Sequence, residues 1–73
     1  MENITCGKYE MANGSVAEIY RIDARTSFCV AGGIGKHKNA VGVEIYQLKT
    51  LWDKAGVHCV DPKMNLVRRL PDA

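Results

Sequence analysis

The stretch Gly32-Gly33-Ile34-Gly35-Lys36-His37-Lys38 comes nearest to a chemical motif in this chain, a loop that cradles phosphate. A Walker-type loop needs glycine at position 30, where Val30 stands, and a hydroxyl after the lysine to hold magnesium, where His37 stands. A dinucleotide fingerprint running through Gly33 and Gly35 wants glycine at 38 and finds Lys38. That fingerprint also belongs to a βαβ unit, whereas this chain opens with hairpin signals. A basic loop before a predicted helix remains, where free amides and the helix dipole would reinforce Lys36 and Lys38 against an anion. Arg68 and Arg69 extend that patch if the last strand lies alongside, although neighbouring strand residues point to opposite faces. Lys36, Lys38, Arg68 and Arg69 are therefore the candidate anion or nucleic-acid contacts. No zinc-finger spacing, helix-turn-helix pair or run of interleaved aromatics accompanies them, and so few basic residues bind weakly and salt-sensitively.

The thiols and imidazoles offer a second chemistry. His58-Cys59-x-Asp61, with Cys6, Cys29 and His37 elsewhere, has the donor types of a zinc site. Adjacent positions on a strand diverge, so His58 and Cys59 do not close readily on one ion. Small core residues are the simpler reading of the three cysteines, since free cysteine is among the most buried types. A cysteine nucleophile needs a nearby histidine and an orienting group, and nothing in the spacing promises that proximity. Paired carboxylates for acid–base work are equally unsupported. The expectation is no catalytic residue, no metal and no cofactor.

A chain of 73 residues has little room for both a core and a deep cleft, which disfavours a small-molecule enzyme. With 47% apolar and 25% charged residues it has the composition of a folded protein, expected as one compact domain over residues 1–73. The net charge of +2 is too slight to name nucleic acid as partner. Its distribution is uneven. Three basic residues against four acidic give −1 over residues 1–35, and seven against four give +3 over 36–73. No apolar run is long enough to span a bilayer, Glu2 stands where a secretory leader would be basic and then apolar, and the cysteines are odd in number without a Cys-x-x-Cys pair. A reduced, cytoplasmic protein without a membrane partner follows.

The elements that must position these residues are read from periodicity. Asn13-Gly14 separates strands predicted over 3–12 and 15–23, because left-handed backbone at the turn suits Asn and Gly. Arg25-Thr26 makes a turn, and Ser27 to Ala31 reads as a third strand broken by Gly32, Gly33 and Gly35. Over residues 40–55, Val41, Ile45, Leu48, Trp52 and Ala55 recur at intervals of four, three, four and three, the stripe of a helix packed on a core. Asn39 serves as its N-cap and Gly56 as its C′ residue. A strand competes over 41–46, where Val41, Val43 and Ile45 alternate with Gly42, Glu44 and Tyr46; the helix then shrinks to 47–55. The unbroken stripe favours the long helix. Val57 to Val60 and Leu66 to Leu70 complete an α+β domain of order β-β-β-α-β-β, a small antiparallel sheet with one helix on a face.

On that helix Tyr46 and Val43 fall outside the core stripe. One helix covers one side of a sheet, so apolar side chains such as Tyr9 and Tyr20 remain on the other. Tyr46, Val43, Tyr9 and Tyr20 are the candidate protein-interface residues, tyrosine being a favoured anchor. Open edge strands also invite pairing across a dimer axis. The function expected is a small non-enzymatic accessory, regulatory or inhibitory protein that binds another protein and itself as a homodimer. The alternative is a weak nucleic-acid or polyanion-binding module using the basic loop.

Overall fold

Strands separated by short turns make up the regular structure of the described residues. The computed structural model describes residues 4–23 and 25–71. Glu2, and Asn3 at the start of the first predicted strand, lie outside the described residues. Five strands, β1 (Gly7–Met11), β2 (Val16–Ile22), β3 (Val30–Lys38), β4 (Glu44–Trp52) and β5 (Leu66–Arg69), form one antiparallel sheet in the order β4-β3-β2-β1-β5. A 3₁₀ turn, Pro62–Met64, precedes β5. The first two strands fall within the predicted segments, and Gly14 sits left-handed at φ 86° in the turn that joins them.

The α+β assignment is overturned: among the described residues there is no α-helix. Two turns of one design replace the helix ends. Asn39 donates its amide to the Val43 carbonyl, while its side-chain oxygen accepts from the amides of Val41 and Val43, both at 3.0 Å. Asp53 does the same with Val57, its carboxylate accepting from Ala55 and Val57 at 2.9 Å. Gly42 and Gly56 take the left-handed position in each, at φ 82° and 88°. An Asx side chain capping amides two residues ahead, with glycine beyond, is local chemistry shared by helix ends and hairpin turns. Asn39 and Gly56 are signals of turns, and the segment between those turns, Glu44–Trp52, is a strand. The competing strand reading was thus nearer, but its residual helix over 47–55 is absent too.

The glycines after Ala31 do not break β3 either. Each makes room for a side chain of β4. A Cβ on Gly32 would lie 2.9 Å from the Trp52 ring and 2.7 Å from the Glu18 carbonyl, one on Gly33 2.2 Å from the Tyr46 ring, and one on Gly35 2.9 Å from Gln47. Glycine inside a strand marks such close approach.

The core gathers Tyr9, Met11, Ala17, Ile19, Cys29, Val30, Trp52 and Leu66, with Ile4, Ile34 and Met64 packed against it. Trp52 is completely buried and its indole N–H donates to the Met64 carbonyl at 2.7 Å. That bond, with the Gly56 carbonyl accepting from the Leu66 amide at 2.8 Å, ties the end of β4 to the start of β5 and curls the sheet over its core. Of the predicted core stripe only Trp52 is inside. Val41 is 81% exposed, Leu48 49% and Ile45 38%, and Ala55 is also exposed. The physical reason is the period: on a strand, residues three apart point to opposite faces, so the helical stripe no longer lines one side. The predicted strand over Val57 to Val60 is reduced to one bridge, Trp52 with His58. No helix is long and apolar enough to cross a membrane among the described residues.

Candidate functional site

β4 lies at one edge of the sheet, paired with β3 on one side only. Its other side is covered at the far end, where His58 bridges Trp52 and the Cys59 amide donates to the Leu51 carbonyl at 3.3 Å. From Glu44 to Thr50 no described strand lies beside it. This free edge carries Ile45 and Leu48, with Leu51 (44% exposed) just beyond and Val43 in the turn before. The opposite edge, β5, is four residues long and carries Arg68 and Arg69. Short length and charge blunt an edge against pairing; a long, apolar, proline-free edge invites it.

Beside this edge stands a polar and aromatic cluster. Tyr46 spans Gly33, stacks on Tyr20 with ring centroids 5.7 Å apart, and donates its hydroxyl to Glu18. Lys36 pairs with Glu18 at 3.2 Å and Glu44 at 3.0 Å. The Tyr46 hydroxyl, followed by Lys36, holds the Glu18 carboxyl below the ordinary glutamate range, and the same hydrogen bond raises the Tyr46 phenol. Glu44 and Glu18 together raise Lys36. A groove lined in part by Lys8, Ser15, Val16, Gly35 and Gln47 runs past the cluster.

The four proposed interface residues separate. Tyr20 is exposed, Val43 is exposed in a turn, and Tyr46 is half-buried. Tyr9 is a core residue, which corrects its placement on an open face. Its hydroxyl exchanges hydrogen bonds with Thr5 and meets Arg69, whose guanidinium lies over the ring at 5.6 Å. Burial pushes that phenol up, but the Thr5 backbone bond and Arg69 outweigh it and hold the hydroxyl below its usual range.

The basic residues do not form one patch. Lys36 and Lys38 lie on β3, not in a loop before a helix, so no helix dipole assists them. β1 and β2 separate them from β5, a span of about 14 Å at the usual strand spacing. Lys36 is committed to two carboxylates, Arg68 to Glu10 at 2.8 Å, and Arg69 to Thr5, Cys6 and Tyr9.

His58 and Cys59 both reach Thr50, at 2.6 Å and 4.0 Å. The His58 Nδ1 accepts from the amides of Val60 and Asp61, at 3.2 and 2.9 Å, so Nε2 carries the proton and donates to Thr50. Arranged this way the imidazole fastens a loop and cannot take the Thr50 proton. Among the described residues no three His, Cys, Asp or Glu side chains are placed to share a metal ion.

Periodicity missed Glu18 as the anchor of Tyr46 and missed the open edge of β4. The alternation of Val41, Val43 and Ile45 was the one signal for that edge. No family model matches the chain, and neither a curated protein nor a solved structure proves similar to it.

Proposed function

We propose that this chain is a small, non-enzymatic interaction protein that acts by binding another protein along the free edge of β4. The observation that carries the reading is the span Glu44–Thr50, unpaired on one side among the described residues, a strand edge with exposed Ile45 and Leu48 and neither proline nor clustered charge. Backbone amides and carbonyls at such an edge are complementary to an extended segment of a partner, with alternate side chains adding selectivity. Tyr46 and Tyr20 beside the edge offer aromatic contact area, and Val43 extends it. The odd, widely spaced cysteines, all three of them free, fit action in the cytoplasm.

Nucleic acid is the lesser reading, because Glu18 and Glu44 occupy Lys36 on the very face that carries the aromatic pair. A displayed library of short peptides selected on the immobilised domain tests the proposal. Recovered peptides should favour extended, alternating apolar sequences and shift the amide resonances of Glu44–Thr50. Recovery of no peptide, together with salt-sensitive binding of a mixed-sequence oligonucleotide that shifts Tyr20 and Tyr46, would reverse the order of the two readings.

A further inference from the structure

We infer that the His58 imidazole is a proton-operated latch: the neutral ring clasps the segment 59–61 over the end of β4, and the doubly protonated ring lets that segment go. This goes beyond the binding reading and stands whether or not a partner uses the edge. The ring is half-buried and lies against the edge of Trp52, with centroids 5.6 Å apart and planes at 71°. Its Nε2 donates to the Thr50 hydroxyl at 2.6 Å, and its Nδ1 accepts from the amides of Val60 at 3.2 Å and Asp61 at 2.9 Å. Both nitrogens of the neutral ring are thus engaged. A second proton has one place to go, Nδ1, where two amide hydrogens already point. There a donor would face two donors.

Little else holds the segment down. Cys59 is exposed and Val60 is 84% exposed, so apolar burial does not fix them. The Cys59 amide reaches the Leu51 carbonyl at 3.3 Å, a long bond. On either side the chain is fastened independently of the ring. The His58 amide donates to the Asn65 side chain at 2.8 Å, and the Asp61 carboxylate accepts from the Lys63 amide at 2.9 Å. Opening is confined between these points and uncovers Thr50 and the Leu51 carbonyl at the edge of β4. The titratable groups beside the ring belong to its own loop: the Cys59 thiol, 4.0 Å from the Thr50 hydroxyl, and the Asp61 carboxylate. β4 presents Thr50 and Trp52 to it, and the approach to β5 presents Asn65, all neutral. Among the described residues no ion pair joins the ring to a carboxylate that would hold its charged form in place. Asn39 caps Val41 and Val43 with an oxygen that takes no proton, whereas His58 caps with a nitrogen that does.

Amide exchange and ring nitrogen shifts, followed by NMR through an acid titration of the intact chain, test the latch. Once the ring shifts report both His58 nitrogens protonated, exchange at Val60 and Asp61 should have risen about 30-fold relative to Val41 and Val43, as the loss of two ordinary hydrogen bonds from one segment implies. His58→Asn sets a non-titrating oxygen in the capping position. It should keep both amides protected and remove their response to acid. The inference is overturned if the two amides stay protected beside a doubly protonated ring, or if the ring gains its second proton only as the whole domain unfolds. It also falls if His58→Asn responds to acid as the unaltered chain does, for then the Asp61 carboxylate is the group that responds.

Discussion

Replacing Gly33 with alanine should destabilise the domain, and the loss should depend on Tyr46. Gly33 has no left-handed backbone, so alanine meets no conformational strain there. Its Cβ would lie 2.2, 2.3 and 2.5 Å from Cγ, Cδ1 and Cδ2 of the Tyr46 ring, where carbon contacts settle near 3.5–4.0 Å. The ring must swing away by more than an ångström. It then forfeits its stack on Tyr20, worth about 0.5–1.5 kcal/mol, and its hydroxyl bond to Glu18, worth about 0.5–1.5 kcal/mol at this half-exposed site. The expected cost is about 1–3 kcal/mol. Where Tyr46→Ala has already removed the ring, the same substitution should stabilise by about 0.5–1 kcal/mol, since glycine weakens strands and loosens the unfolded chain. Urea unfolding of the four proteins, followed by Trp52 fluorescence, measures the cycle. An equal cost of Gly33→Ala with and without Tyr46 would refute the account of glycine as room for the ring.

Gly32→Ala should be worse than Gly33→Ala and indifferent to Tyr46, because its Cβ meets the Glu18 backbone carbonyl, which cannot rotate aside; denaturant midpoints make the comparison. Glu18 has a lowered folded-state pKa, so its contribution to stability is present above the ordinary glutamate range and lost as pH falls through the folded value. Tyr46 is raised, so its contribution is present below the ordinary phenol value and lost as pH rises through the folded one. Glu18→Gln should therefore flatten the acid limb of a stability–pH profile, and Tyr46→Phe should flatten both ends. Trp52→Phe keeps most of the ring but leaves the Met64 carbonyl without its donor, an expected loss of about 1–3 kcal/mol in thermal or urea unfolding. Gly42→Ala and Gly56→Ala both force alanine into left-handed backbone at about 1–2 kcal/mol. Gly56→Ala should cost more, since its Cβ also lies 3.2 Å from Leu66 whereas Gly42 faces open space.

Local residue chemistry was enough to show where the chain turns and which residues turn it. Asn13-Gly14 marked a hairpin that forms, because the preference of those residues for left-handed backbone needs no distant partner. Asn39 and Gly56 were equally legible as residues that cap amides and accept positive φ, but a helix end and a strand turn use the same local bonds. The pairing of strands distant in the chain makes the choice between them. With β3 alongside, the run from Glu44 is held extended, and Trp52 is drawn into the core while Leu48 and Ile45 remain at the surface. The glycines of β3 looked like breakers because the side chains that fill their space, Trp52 and Tyr46, come from another strand. The pairing of Tyr46 with Glu18, 28 positions away in the chain, was invisible for the same reason. Non-local pairing also decides which strand is left at an edge, because hydrogen bonds between strands are a property of the assembled sheet and of no single segment.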